Sequence, residues 1–370
     1  MAPETEYQGE KMSAVLMTGF PGFLGSALLP GILEKREGAT VVCVVQARHM
    51  DTAKAKLAEL EAAHPHTTDR VQLVEGDITK QGLGLADSVA VDDVNEVWHL
   101  AAVYDLSVHE DIAKLVNIVG TENVLQFCRE RSNFRRLQYV STCYVSGAYD
   151  GEFTEDMLEE GQKFQNHYEE TKYEAERLVR AAIADGLPAT VYRPGIVVGD
   201  SRTGETQKYD GPYFVADYMK RLPGVTFLPN VDKTVMASLV PRDYVIAAMD
   251  ALSVLDRSEG KTYQLTDPNP PSAREVAEIF GKHLGRRLVW LPIPVSVVRG
   301  LLDTVPGMEL LTGLPAETLD YFAFPTTYGT AQTIADLEGT GVACPHFRDY
   351  ADKLLDFMAA HPEFDSQAMV

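Results

Sequence analysis

Leu16-Met17-Thr18-Gly19-Phe20-Pro21-Gly22-Phe23-Leu24-Gly25 is the stretch that decides the fold. The apolar run from Ala14 to Met17 is short and continuous, as in a strand buried on both faces. It breaks at Gly19. Apolar residues then resume at helical spacing through Leu28, Leu29 and Leu33, and Gly38 stops them. In such a strand–turn–helix the first glycine permits a tight turn and the second lets a pyrophosphate approach the backbone. The third lets the helix lie close to the sheet. The helix N-terminus offers unpaired N–H groups and a positive dipole end to phosphate. Gly19, Phe20, Gly22, Phe23, Leu24 and Gly25 are therefore candidate cofactor contacts. Gly-rich turns with no ligand share this spacing, so the rest of the chain must carry the assignment.

Outward from that turn, strand and helix patterns alternate. Strands are expected at 13–18, 40–46, 71–75, 95–100, 136–141 and 189–192, with helices at 51–62, 110–131 and 167–185. Short, continuously apolar strands separated by helices predict an α/β protein with a doubly wound parallel sheet covered on both faces. Such sheets bind ligands beyond the carboxyl ends of their strands. After about residue 200 the texture becomes irregular and Pro-rich. One helix there is well signalled: Ser272 and Glu275 form a capping box ahead of Val276, Ile279 and Phe280. The apolar, Pro-broken run from Leu288 to Phe322 reads either as the core of a small helical cap or as the wall of a pocket for a greasy substrate.

The 370 residues carry a formal charge of −21, which disfavours nucleic acid and anionic membrane as partners. An acidic protein that binds a polyanion must concentrate its basic groups locally, which draws attention to Arg48, Lys172 and Arg193. No apolar run approaches the roughly 20 residues of a membrane-spanning helix, and the first residues are polar, unlike a signal peptide. Cys43, Cys128, Cys143 and Cys344 lie far apart with no CxxC pair. The expectation is no metal site, no disulfide framework and a reducing cytoplasm.

Five further signals follow the glycine turn in order. Gln46-Ala47-Arg48 ends the second strand without the acid that would bond a free ribose 2′-hydroxyl, and Arg48 can pair a 2′-phosphate instead. Gly76-Asp77-Ile78 closes the third strand with a carboxylate able to meet an adenine amino group, or with an ordinary turn aspartate. His99 leads into Ala101, Ala102 and Val103, whose small side chains leave room for a nucleotide sugar; His99 itself reads as a satisfied buried polar group. The fifth strand ends in Ser141-Thr142-Cys143, exposing hydroxyls. Then comes Tyr168-Glu169-Glu170-Thr171-Lys172, which places a phenol and an ammonium on one helix face and favours the phenolate. Tyr-x-x-x-Lys is a weak pattern, and Tyr7 and Lys11 also fit it. Tyr168 and Lys172 matter because their helix follows the hydroxyl-bearing strand.

Together TGFPGFLG, VEGDIT, VWHLAAV, LVNIVGTENVL, YVSTCYVSG, YEETKYEAERLV, VYRPGIVVGDSRTG and SLVPRDYV resemble the extended short-chain dehydrogenase/reductase family over residues 12–270. The turn, the VQAR and STCYVSG strand ends and RPGIVVGDSRTG are most similar to its fatty acyl reductase (male-sterility) and thioester-reductase branch. The resemblance implies a Rossmann-type domain at 12–200, to which 236–267 returns, and a smaller substrate-binding domain at 201–235 and 268–362. It implies Tyr168 as proton donor, Lys172 as its pKa-lowering and ribose-binding partner, and Thr142, with Ser141 as fallback, as holder of the substrate oxygen. Asn117 would support the site, and Pro194, Gly195 and Val197 would flank the nicotinamide. Asp77, Ile78, Ala101, Ala102 and Val103 would line the adenosine side, with Gln46 and Arg48 at the 2′-position. Two departures stand out: Gln46 where the branch carries a basic residue, and Ser26 where a basic residue would follow the last glycine. NADP(H) is expected over NAD(H), which stays open. The expected activity is reduction of an acyl thioester, bound to coenzyme A or a carrier protein, to aldehyde and onward to alcohol. The rival readings are an alcohol or ketone oxidoreductase of the same fold, a nucleotide-sugar epimerase, and a non-catalytic NADP-binding sensor. The sequence leaves oligomeric state unassigned.

Overall fold

The computed structural model describes residues 14–364, apart from 104–108, 223, 306, 309–311, 317, 318 and 320–324. The Tyr7/Lys11 pair lies outside the described residues. Strand β1 (Ala14–Thr18) leads through the glycine turn into α1 (Phe23–Lys35), followed by β2 (Thr40–Val45), α2 (Met50–Ala63), β3 (Val71–Glu75) and β4 (Val94–His99). The next helix comes in three pieces: α3 (Glu110–Ala113), a π-helical stretch Lys114–Val119, and α4 (Gly120–Arg129). The sequence pattern predicts one unbroken helix over 110–131. Apolar spacing does not register the wider π turn, and this turn carries Asn117.

Next come β5 (Arg136–Val140), β6 (Gly151–Phe153), α5 (His167–Ala184), β7 (Ala189–Pro194) and β8 (Ile196–Val198). They are followed by α6 (Pro212–Arg221), β9 (Val225–Asn230), β10 (Leu239–Pro241), α7 (Arg242–Ser253) and β11 (Thr262–Leu265). The chain continues with α8 (Ala273–His283), β12 (Arg287–Pro294), α9 (Val295–Thr304), β13 (Thr326–Tyr328), α10 (Ala331–Leu337) and α11 (Ala351–Ala360).

Seven strands form one sheet in the order β11-β7-β5-β4-β1-β2-β3, every pair parallel. Successive side chains of a strand face opposite sides of the sheet. In β1, Val15 and Met17 enter the core under α1 and α7 with Leu28, Leu29, Ile32 and Met249. Ala14 and Leu16 enter the core on the other face with Val124, Phe127 and Val179. Each large apolar side chain so buried contributes about 1.5–3 kcal/mol, which is why continuous apolar runs suffice to mark these strands. The chain winds one way from β1 to β3 and the other way from β4 to β11. The order therefore reverses between β1 and β4, and the crevice at such a reversal is where a doubly wound sheet holds its ligand.

Outside the main sheet the polypeptide forms two-stranded pieces, β8 with β10, β9 with β12, and β13 with the earlier β6. The first two pairs pack with α6, α8, α9 and α11 around two further apolar clusters, while β6 and β13 pack Phe153 and Tyr328 with Val145 and Leu158. The capping box of α8 is present, the Ser272 hydroxyl accepting from the Glu275 N–H and the Glu275 carboxylate accepting from the Ser272 N–H. The run from Leu288 contains β12 and α9, so it is part strand rather than a wholly helical cap; its later portion includes residues outside those described.

Candidate active site

At the β1–β4 reversal, Gly19 has φ +90°, and a side chain there would stand 2.9 Å from Leu100 and Ala101 at the exit of β4. A Cβ on Gly22 would lie 2.8 Å from the Gly19 carbonyl oxygen, and one on Gly25 only 2.5 Å from the same atom. That oxygen accepts the Gly22 N–H at 2.9 Å. Ser26, where a basic residue was to be expected, closes the turn by donating its hydroxyl to the Pro21 carbonyl at 2.9 Å. The first turn of α1 has no side-chain cap and no acidic residue. Its N–H groups and dipole thus suit an anion, and the backbone cradle fits a pyrophosphate.

The exits of β2, β3 and β4 gather beside this turn, where the sequence places the adenosine side. Arg48 is exposed, and its Nε donates to the Gln46 side-chain oxygen at 3.0 Å. Gln46 also bonds the Asp77 carboxylate, which accepts the Thr79 N–H at 3.0 Å and the Thr79 hydroxyl at 2.8 Å. Partial burial works against the Asp77 charge, but these bonds outweigh it and hold the carboxyl below its ordinary range. Gln46 thus joins Arg48 to Asp77, which sequence alone does not reveal. Ile78 is buried against Gly120, and Ala101, Ala102 and Val103 are half-buried at the end of β4.

Asn117 fastens that exit. Its Oδ1 accepts the Val103 N–H at 2.9 Å, and its Nδ2 donates to the Val103 carbonyl at 3.1 Å and to the Thr171 hydroxyl at 3.0 Å. The β4 exit is thereby tied to α5 between Tyr168 and Lys172. His99 lies beneath, buried between the Thr18 hydroxyl at 2.8 Å and the Thr121 hydroxyl at 3.1 Å. Burial, with the nearby Lys172 charge, pushes it down to about 3, so it is a neutral structural group.

Helix α5 is capped by Asn166, whose side chain accepts the Glu169 N–H at 2.9 Å. Tyr168 is half-buried in the first turn and Lys172 is buried one turn on. The Lys172 Nζ donates to the Val140 carbonyl at 2.9 Å and the Tyr139 hydroxyl at 3.2 Å. Burial lowers it to about 8, with the Glu176 charge opposing.

The two hydroxyls ending β5 differ. Ser141 donates to the Glu176 carboxylate at 2.6 Å, which commits its proton away from any substrate. The Thr142 hydroxyl accepts the Tyr144 N–H at 3.3 Å and has no acceptor for its own proton among the described residues. Arg193, singled out in the sequence as a basic group for a polyanion, is fully buried and faces Glu176. Its charge is spent there because an unpaired guanidinium in the core is far too costly. Pro194, Gly195 and Val197 follow, and Gly195 has no room for a side chain, a Cβ there lying 2.4 Å from the Ser238 carbonyl oxygen. Sequence reasoning missed Glu176 and Tyr139. Glu176 stands four residues past Lys172 on the same helix face, and Tyr139 stands two before Ser141, so their spacing was available.

A cavity of about 850 Å³, its open mouth included, lies in the C-terminal part of the fold. Tyr218, Leu228, Ala277, Trp290, Val298 and Leu302 are among the side chains that wall it. Neither Thr142 nor Tyr168 lines it. Ile196 links the two regions, packing both on Cys143–Tyr144 and on the cluster that holds Tyr213, Leu228 and Trp290. No helix among the described residues is long and apolar enough to cross a membrane.

Fold and family place the chain among the NAD(P)-dependent oxidoreductases of the extended short-chain dehydrogenase/reductase type. The chain belongs to the male sterility protein family, whose model matches residues 17–249. It is similar to a linear gramicidin synthase of Brevibacillus parabrevis, at 28% identity over 72% of this chain and 5% of that protein. It is also similar to the fatty acyl-CoA reductase wat of Drosophila melanogaster, at 25% identity over 65% of this chain and 53% of that protein. Among solved structures, the terminal R domain from the myxalamid PKS-NRPS biosynthetic pathway superposes with a TM-score of 0.82 at 26% identity. That match covers 95% of this chain and 92% of the R domain. The chain spans 5–34% of the length of the first curated relatives it matches.

Proposed function

We propose that this protein reduces an apolar acyl thioester to the aldehyde, and onward to the alcohol, with NADPH. The observation that carries the reading is an apolar cavity, walled by side chains such as Leu228, Trp290 and Leu302, in the same fold as a Tyr168–Lys172–Thr142 site. We assign residues 12–200 and 236–267 to the cofactor domain, and 201–235 and 268–362 to the substrate domain. The glycine turn would hold the pyrophosphate and Arg48 the 2′-phosphate, with NADH the weaker alternative. Pro194, Gly195 and Val197 would flank the nicotinamide, which when bound would supply hydride for the carbonyl carbon. Thr142 donates its free proton as a hydrogen bond to the carbonyl oxygen and fixes its position. Tyr168 delivers its proton to that oxygen as negative charge develops there, and the Lys172 ammonium stabilises the phenolate left behind. The product is a hemithioacetal. Its C–S bond breaks as the hydroxyl proton passes to sulfur, releasing thiol and aldehyde. The acyl group arrives on coenzyme A, as the name of the fatty acyl-CoA reductase suggests, or on a carrier protein, and the setting is a reducing cytoplasm.

The test pairs NADPH consumption with detection of free thiol across a series of acyl chain lengths. Each methylene buried should contribute about 0.8 kcal/mol, roughly fourfold in kcat/KM, until the cavity is full. Ala277→Phe, which places a ring in the cavity, should abolish that gain for long chains and spare short ones. A flat response to chain length would overturn the acyl pocket and keep the chemistry. Turnover of aldehydes or ketones without thiol release from any acyl thioester, carrier-bound ones included, would move the protein to the alcohol and ketone oxidoreductase reading.

A further inference from the structure

The Glu176 carboxylate is fully buried, and four groups converge on it. The Arg193 Nη2 donates to it at 2.7 Å and the Arg193 Nε reaches both oxygens at 3.1 Å. The Arg180 Nε donates at 3.0 Å and the Ser141 hydroxyl at 2.6 Å. Arg193 and Arg180 each continue to the Met157 carbonyl, so the loop after β6 is drawn in as well. The carboxylate therefore joins three elements, each of which carries a reacting or cofactor-flanking residue. Ser141 precedes Thr142 at the end of β5, Arg193 precedes Pro194 and Gly195 at the end of β7, and Glu176 lies one helical turn beyond Lys172 on α5.

We propose that Glu176 is the positioning residue of this site, clamping the ends of β5 and β7 to α5 while its negative charge faces Lys172. The proposal rests on the reductase reading for the identity of the reacting groups, and on geometry alone for the clamp. Burial by itself would raise the Glu176 carboxyl, but Arg193, Arg180 and the Ser141 hydroxyl hold it below its ordinary value, so it carries a full charge. The titratable groups around Lys172 are Tyr139 on β5, neutral His99 on β4, Tyr168 and Glu176 on α5, and Arg193 on β7 behind Glu176. Of these, Glu176 is the one that favours the charged ammonium, against the burial that lowers it to about 8. Removing that charge would let Lys172 lose its proton at still lower pH and leave the Tyr168 phenolate without its counter-ion.

The experiment follows Lys172 directly, by NMR titration of protein labelled at lysine Cε, the resonance being assigned through its loss in Lys172→Arg. Glu176→Gln should move the Lys172 midpoint down by about one unit or more. It should cut kcat about tenfold or more, for any carbonyl substrate the wild type reduces, while NADPH affinity at neutral pH holds within about threefold. If a lone buried arginine prevents Glu176→Gln from folding, Glu176→Gln/Arg193→Met removes the fully buried guanidinium, while Arg180, partly exposed, keeps the Glu155 and Asp156 carbonyls, and the variant is read the same way. A folded variant in which Lys172 titrates as in the wild type overturns the proposal. So does a fall in kcat matched by an equal fall in NADPH affinity, since that is general loosening. A wild type that releases no thiol from any thioester would overturn the reductase reading and leave the Lys172 titration standing.

Discussion

Substituting Gly25 by alanine tests the cofactor cradle most sharply. The new methyl group would stand 2.5 Å from the Gly19 carbonyl oxygen, a backbone atom, and ordinary contact begins at 3.4 Å. Either the turn or α1 must therefore give way by about 0.9 Å. The helix cannot easily yield, because Leu28, Leu29 and Ile32, one and two turns on, are fully buried under the sheet. Nor can the turn yield freely, because Gly19 abuts Leu100 and Ala101. Overpacking of this kind costs about 1–3 kcal/mol of stability. A displacement near an ångström in a preorganised site costs on the order of a hundredfold in function. Gly22→Ala meets the same oxygen at 2.8 Å from a half-exposed position at the helix start, where the chain can shift outward, and should cost less. The assay is NADPH binding by fluorescence titration, with thermal unfolding of the free protein to verify the fold. Gly25→Ala should weaken NADPH by tens to about a hundredfold and Gly22→Ala by several-fold to tenfold. Wild-type affinity in a folded Gly25→Ala protein would refute the argument, and so would the reverse order of the two variants.

Tyr168→Phe should lower turnover by at least about a hundredfold with NADPH binding nearly intact, the signature of a lost general acid; stopped assays beside NADPH titration check it. Arg48→Ala should cost about 1.5–3 kcal/mol in NADPH affinity and almost nothing for NADH, as one charge-assisted contact to the 2′-phosphate implies. Equal losses would make Arg48 structural. His99 is held neutral in the fold down to about pH 3, whereas the unfolded chain protonates it near 6.5. Between those values the unfolded state binds the extra proton, so stability falls as pH drops from about 6.5 toward 3, by at most about 1.4 kcal/mol per unit from this group. His99→Gln should flatten the slope of unfolding free energy against pH over that window, measured by urea titration against the wild type.

The central sheet was legible in the sequence and the smaller region was not, for a physical reason. Strands covered on both faces need continuous apolar runs, so VQLVE reads over 71–75 as it stands, and NEVWHL is displaced by a single residue. In β9 and β12 many side chains are half-buried or exposed and prolines interrupt the run, which removes both the alternation and the continuity on which a reading depends. Local motifs fared similarly. The three glycines were legible by spacing, but that Gly22 and Gly25 answer to one oxygen, on Gly19, follows only from the turn in three dimensions.

The adjacent hydroxyls show where such reading must stop. Spacing places Ser141 and Thr142 together at a strand end, and either could hold a substrate oxygen. Neighbouring side chains at such an end point different ways, so one hydroxyl is turned inward, but the chain does not state which. The choice is made by Glu176, 35 residues on, and Glu176 tolerates burial because Arg193, a further 17 residues on, pairs with it. A buried carboxylate without that guanidinium would be several kcal/mol too costly. With it, the carboxylate takes the Ser141 proton and leaves Thr142 free. The chemistry of this site is thus written in residues four apart, while its orientation is written in an ion pair that joins a helix to a strand. Loss of that pair should scramble the geometry before it alters any group that touches substrate.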